Sequence, residues 1–315
     1  MNKLLLFFML LLPLAVVSCE DAGDGSLILG KDMPVEVTAS VSEMNTKAGY
    51  EGTTVLPEKF YIDIRQNQDS KYDYSLVELV RKQGDGNRYS VKDEMTLLWA
   101  EPDRTGVGVK ALTLPFGRTA LDPSNAMMVS VAPDQSLAES VKDSDLLGAD
   151  NAQLGGVDIN GNSVNIAFKH LLAKLDVSYV YGAELSGSDV VVNSIALKNV
   201  CVSRGYSYAD MGFDDSAACE YGDVMMCHDS DARQAEAIFM PYVVDKNPSL
   251  VLKATIDGVQ HTFTCAVVAK DAAGFVSGCR YTLRITITGS SISNTMASIT
   301  QGWDDVTDGN TFVTE

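Results

Sequence analysis

The side chains able to make or break bonds are few and scattered. Three histidines occur, His170, His228 and His261, and none stands in a zinc spacing such as HExxH. Cys227 and His228 are adjacent, so on an extended chain their side chains point in different directions and do not share one ion. His170, in "FKHLLAKL", follows a strand-like run and reads as a structural histidine rather than a base. Paired acids such as "DSDLL" (143–147) and "GWDD" (302–305) follow from the acidic composition. A glycosidase pair needs a cleft holding two carboxyls at a fixed separation, which spacing alone does not supply. "WDDVTDGN" (303–310) lacks the alternating ligands and closing glutamate of a calcium loop. Trp99 and Trp303 are the only tryptophans; two make no sugar-stacking platform, and core burial is expected for both. No GxSxG, P-loop or strand–GxGxxG–helix unit occurs. The expectation is a non-enzymatic protein without metal or cofactor, one that binds or builds.

One cysteine carries a chemical expectation of its own. Lys3 precedes an uncharged run from Leu4 to Val17, which ends in Val16-Val17-Ser18-Cys19. This is the layout of an export signal. As a helix the run would reach about 21 Å, short of the roughly 30 Å of bilayer hydrocarbon. The last four residues resemble a bacterial lipobox, in which the cysteine thiol takes a diacylglycerol, cleavage follows before it, and its freed amine is acylated. Each buried methylene contributes about 0.8 kcal/mol, so several acyl chains on Cys19 would anchor the chain durably. Glu20, Asp21 and Asp24 follow at once and resemble the signal that sends lipoproteins of some anaerobic Gram-negative bacteria to the outer leaflet. The expected location is the cell outer membrane, exposed at the surface. Residues 1–18 are therefore expected to be a signal peptide and 19–32 a Gly- and Asp-rich tether.

A body of 297 residues would remain after cleavage, enough for two domains. The net charge of −18 argues against nucleic acid as a partner. Five further cysteines, Cys201, Cys219, Cys227, Cys265 and Cys279, all lie in the second half. An odd number cannot pair fully within the chain. Cys219 and Cys227 could close a small loop; the simpler reading is buried thiols acting as small hydrophobes.

The elements that must carry these residues read as strands. In "PVEVTASV", Val35, Val37, Ala39 and Val41 share one face and Glu36, Thr38 and Ser40 the other. Strands are also expected at 59–67, 76–80, 95–100, 126–132, 164–168 and 174–181. A second set is expected at 190–202, 236–243, 249–256, 260–268 and 280–288. Residues 134–150 read as loop with a short helix. No long helical period and no βαβ alternation occurs, so the fold is expected to be all-β, built of antiparallel sandwiches. The Ser/Gly-rich stretch 182–189 marks the expected boundary, giving domains at 33–182 and 183–315.

Several segments together carry a family resemblance. "TKAGYEGTTVLPEKFYIDI" (46–64), "SDLLGA" (144–149), "VNIAFKHLLAKLDVSY" (164–179), "GFVSGCRYTLRITITGSSIS" (274–293) and "ITQGWDD" (299–305), with the lipobox, resemble the fimbrillin family of pilus lipoproteins, including its Mfa-like branch. The resemblance implies two tandem transthyretin-like antiparallel β-sandwich domains and a fimbrial subunit, structural or adhesive. It also implies assembly by strand donation: a protease removes an N-terminal strand, and a C-terminal strand of the next subunit fills the groove. Implied partners are other fimbrial subunits, the outer membrane through the lipid anchor, and host or bacterial surface ligands. On this chain the lost strand would be Pro34 to Ser42. The donor would lie within Thr295 to Glu315, with Ile299, Trp303, Val306, Phe312 and Val313 as pocket fillers. The family's cleavage residue is arginine, whereas this chain has Lys47 there. The alternative is a surface glycan-binding lipoprotein without enzymatic activity.

Overall fold

The computed structural model describes residues 30–41, 55–66, 70–93, 95–122, 127–214, 216–243, 248–268, 274–289 and 291–301, the last nine by backbone alone. In chain order the strands are β1 (Glu36–Val41), β2 (Lys59–Arg65), β3 (Tyr74–Arg81), β4 (Arg88–Val91), β5 (Gly108–Leu112) and β6 (Met127–Ser130). The one described α-helix, α1 (Ala138–Ser144), follows. Then come β7 (Leu147–Asp150), β8 (Val157–Asn160), β9 (Ser163–His170), β10 (Ala173–Tyr181) and β11 (Val190–Ser207). Next are β12 (Gly212–Phe213), β13 (Glu220–Met225), β14 (Cys227–Asp229) and β15 (Gln234–Phe239). Last are β16 (Ser249–Ile256), β17 (Val259–Ala266), β18 (Cys279–Ile287) and β19 (Ile292–Gln301). The chain is all-β, as its alternation requires.

The first sheet runs β1-β4-β3-β2-β5-β7-β9-β8 and closes on itself through a β1–β9 pair. A closed ring therefore stands where the sequence led us to expect two facing sheets. Its interior holds Phe60, Ile62, Ile64, Val109, Val164, Ile166 and Phe168, all at most 1% exposed. Phe60 sits edge-on to both Tyr89 and Phe168, with ring centroids 4.7 and 5.0 Å away, a favoured aromatic geometry.

Two further sheets share the larger apolar cluster. One runs β14-β15-β10-β18-β19; the other runs β12-β11-β16-β17, with β13 and β6 also paired to β11. Leu175, Val177 and Tyr179 of β10 and Tyr281, Leu283 and Ile285 of β18 meet Ile195, Leu197, Leu250 and Leu252 of the facing sheet in that cluster. The β16–β17 hairpin turns on Asp257-Gly258, with φ of 48° and 83°, the left-handed pair that a two-residue turn between twisted strands favours. The long β11 carries register shifts between Leu197 and Val200 and between Cys201 and Ser203. Asn199, at φ 58°, occupies the first.

The sheets do not divide at 182–183. β10 lies between β15 and β18, and β6 pairs with β11 across Met127↔Tyr206 to Ser130↔Ser203. The chain thus leaves the ring after β5, returns at β7 and leaves again after β9. Alternation shows that a segment is half buried; it does not show which sheet buries it. Residues 95–100 correct a second expectation: they form no strand, only a bridge from Leu98 to Pro34. "MTLLWA" is an apolar run, and an apolar run fits a core-filling irregular segment as well as a strand.

Candidate assembly site

β1 occupies a slot that only a strand of its pattern fills. Val37, Ala39 and Val41 point inward and are 4, 1 and 3% exposed. Glu36 is exposed, and Thr38 and Ser40 are half-buried. On one side β1 runs parallel to β9 in an unbroken register from Glu36↔Ser163 to Val41↔Phe168. On the other it runs antiparallel to β4 through Val37↔Tyr89 and Thr38↔Arg88. The Thr38 hydroxyl donates to Asn165 Oδ1 at 2.7 Å, and Tyr89 donates to the Pro57 carbonyl at 2.6 Å. Burial raises the Tyr89 phenol well above its ordinary value, so it stays a donor.

The residues before β1 are tied as well. Asp32 N–H donates to the Trp99 carbonyl at 2.9 Å, Trp99 N–H to the Met33 carbonyl at 2.9 Å, and Val35 N–H to the Leu97 carbonyl at 2.8 Å. Trp99 is fully buried beneath the Arg104 guanidinium, 4.3 Å from its ring, and its indole N–H donates to the Asn162 carbonyl at 3.1 Å. Trp99 is therefore core, not a sugar platform.

The slot's geometry sets what it can do. Among the described residues β1 is the one strand that closes the ring between β4 and β9. Without it, both neighbours would present unpaired N–H and C=O groups, flanking a trough floored by Val164, Ile166 and Phe168. Such an edge accepts a new strand of matching alternation. Each valine buried there contributes about 1.5–3 kcal/mol, so the occupant is held firmly and without a covalent bond.

The other candidate residues fall elsewhere. Cys19, Lys47, Trp303, Val306, Phe312 and Val313 lie outside the described residues. Ile299 lies on β19, paired with Tyr281 of β18, and β19 is the edge of its sheet. Arg65 is the last residue of β2, an exposed position on a strand of the ring. His170 Nδ1 lies 2.8 and 3.0 Å from the two carboxylate oxygens of Asp145. Both side chains are fully buried, so the pair fastens the fold and does not meet a substrate. His228 Nε2 lies 2.8 Å from the Tyr179 hydroxyl, and His261 stacks on Phe263. No disulfide joins Cys201, Cys219, Cys227, Cys265 or Cys279. Among the described residues no group of three metal-ligating side chains is gathered.

Sequence reasoning missed a seam. The segments "HLLAK" and "SGCRYT" run side by side: Ser277 Oγ donates to the Leu171 carbonyl at 2.7 Å and Gly278 N–H to the Leu172 carbonyl at 2.9 Å. Gly278, at φ 67°, is required there, since a Cβ would lie 2.8 Å from the His170 carbonyl oxygen.

Solved structures share this fold. A candidate cell adhesion protein from Bacteroides uniformis superposes with a TM-score of 0.60 at 20% identity, over 87% of this chain and 99% of that one. A second, from Bacteroides ovatus, gives 0.63 at 13% identity, over 86% and 98%. The class defined is thus an all-β architecture shared with candidate adhesion proteins of Bacteroides. Among curated proteins none matches. The sequence places the chain more narrowly: residues 44–303 match the fimbrillin-like family, and the chain belongs to it.

Proposed function

We propose that this chain is a fimbrial subunit, exported as a lipoprotein acylated at Cys19 and joined to its neighbours by β-strand donation. The observation that carries the reading is the β1 slot. β1 ends at Val41 and β2 begins at Lys59, so Lys47 lies in the connection between them. A cut there would sever β1 from the chain without breaking any other strand of the ring. Arg65 offers no such site, because it ends β2. The donor is drawn from Thr295 to Glu315. β19 supports this assignment: among the described residues it pairs with one strand, β18, so its departure breaks a single ladder. Ile299, Trp303, Val306, Phe312 and Val313 would then enter the trough of the next subunit. The facing sheets built on β10 and β11 fit the sandwich domain of the family; the β1 ring would be its counterpart that opens. The lipid places the first subunit at the outer membrane and strand donation extends the fimbrium outward.

The decisive experiment deletes residues 300–315. The truncated chain should retain the far-UV circular dichroism of the full chain, remain monomeric on size exclusion, and fail to enter polymers after protease treatment. Polymerisation at the full-length rate would sink the donor assignment. Mass spectrometry of the mature N-terminus tests the anchor and the cut together: acylated Cys19 before processing, and a new terminus at Ala48 after it.

A further inference from the structure

A cavity of about 460 Å³ lies against the outer face of β10, β15 and β18, with Ala138 of α1 in its wall, and shares no residue with the β1 slot. Its volume falls in the range of small-ligand sites. Asp176 of β10 and Glu236 of β15 are cross-strand partners, as are Lys174 and Arg280. The fully buried Lys174 places its Nζ 2.5 Å from Glu236 Oε2 and 3.5 Å from Asp176 Oδ1. Arg280 is hydrogen-bonded to the other oxygen of Asp176. Two cations thus face two carboxylates, and the floor is electrically balanced. Asp229, Gln234, Thr282 and Arg284 line the same cavity.

Two carboxylate oxygens in this arrangement, Asp176 Oδ1 and Glu236 Oε1, lack a hydrogen bond. Glu236 is 7% exposed and lines the cavity, yet its Oε1 is buried without a hydrogen bond. Burial pushes the Glu236 carboxyl up from its ordinary value, against the pull of Lys174. Leaving such an atom unsatisfied is costly, and a bound donor would relieve the cost.

The cavity's chemistry selects the donor. A free cation would meet the guanidiniums of Arg280 and Arg284; a free anion would meet Asp176, Asp229 and Glu236. A neutral polyol gains hydrogen bonds with both and adds no charge to a balanced floor. Vicinal hydroxyls both donate and accept, which suits planar carboxylate, amide and guanidinium groups converging from three strands. We propose that this cavity binds a neutral oligosaccharide, with Glu236 Oε1 accepting from a sugar hydroxyl and the Arg284 guanidinium donating to a neighbouring oxygen. The site uses neither tryptophan and shares no residue with the β1 slot.

The test is an array of immobilised neutral, acidic and amino-bearing oligosaccharides probed with the purified full-length protein. Retention on neutral members is expected. Arg284→Ala, an exposed position that leaves the floor intact, should weaken the strongest neutral binder about tenfold with an unchanged circular dichroism spectrum, the size of one hydrogen bond to a charged group. Glu236→Gln should weaken it by a similar factor. Retention of charged sugars alone, retention of none, or full affinity in both variants would overturn the proposal. The array is probed with unpolymerised protein and the β1 slot shares no residue with this cavity, so failure here would leave the strand-donation reading standing.

Discussion

Two histidine contacts, one buried and one half-buried, do structural work that is open to measurement. Asp145 follows α1 and His170 ends β9, so their contact fastens the covering segment to the ring. Asp145→Ala removes a partner from a buried imidazole and should cost about 1–3 kcal/mol in urea denaturation. His228 behaves differently. Burial holds its imidazole below the usual value of 6.5, with Asp229 acting the other way. The Tyr179 hydroxyl beside it is pushed up to about 12, by burial first and by Tyr181 next, so it stays protonated and can donate to neutral Nε2. A histidine that is harder to protonate when folded binds fewer protons there than in the unfolded chain. Its contribution to stability is complete above about 6.5 and falls as pH drops through that value toward the lower folded one. Thermal melts across that window should slope downward with acidification, and His228→Gln should flatten the slope. An identical slope in the variant would assign it to other groups.

The elements show how far the sequence could be read. Strict alternation named β1, β10, β16 and β18 closely, because each has one face in a core and one outside it. β4, β5, β7 and β8 escaped notice: they are four or five residues long, too short for a period of two to rise above chance. β19 escaped for another reason. Its "ISNTMASITQ" is mostly small and polar, as an edge strand can be. Of the assembly site, the strand Pro34–Ser42 was legible from its valines, but the parallel partner β9 was not, since nothing local encodes a pairing across more than a hundred residues. The slot yields an element-scale prediction. Val37→Asp would set an unpaired carboxylate beside Val164 and should destabilise the chain by about 3–5 kcal/mol. Ser40→Asp, on the outward face of the same strand, should stay within about 0.5 kcal/mol. Equal melting temperatures for the two variants would mean that β1 is not seated as described.

At the scale of the whole molecule, the chain crosses repeatedly between the ring and the facing sheets, and this decides which fragments can fold. A cut at 182, the boundary suggested by the Ser/Gly-rich stretch, would strand β6, α1 and β10 with the ring. The fragment 183–301 would then lack β10, the strand between β15 and β18, and would expose Tyr281, Leu283 and Ile285 beside an open gap. The fragment 30–182 would carry Leu175, Val177 and Tyr179 with no facing sheet to cover them. Fragment 30–182 holds every strand of the ring and should disperse the ring's amides alone, but neither piece should give the dispersed amide spectrum of the full chain. Mixed together, they should recover it, because the β10 register with β15 and β18 spans nearly the full length of all three strands and needs no covalent link. A well-folded 183–301 in isolation would show that β10 is dispensable to its sheet. Recovery on mixing would show the opposite: that this fold already tolerates receiving one of its central strands from a separate chain, the same physical event that the β1 slot requires when one subunit joins the next.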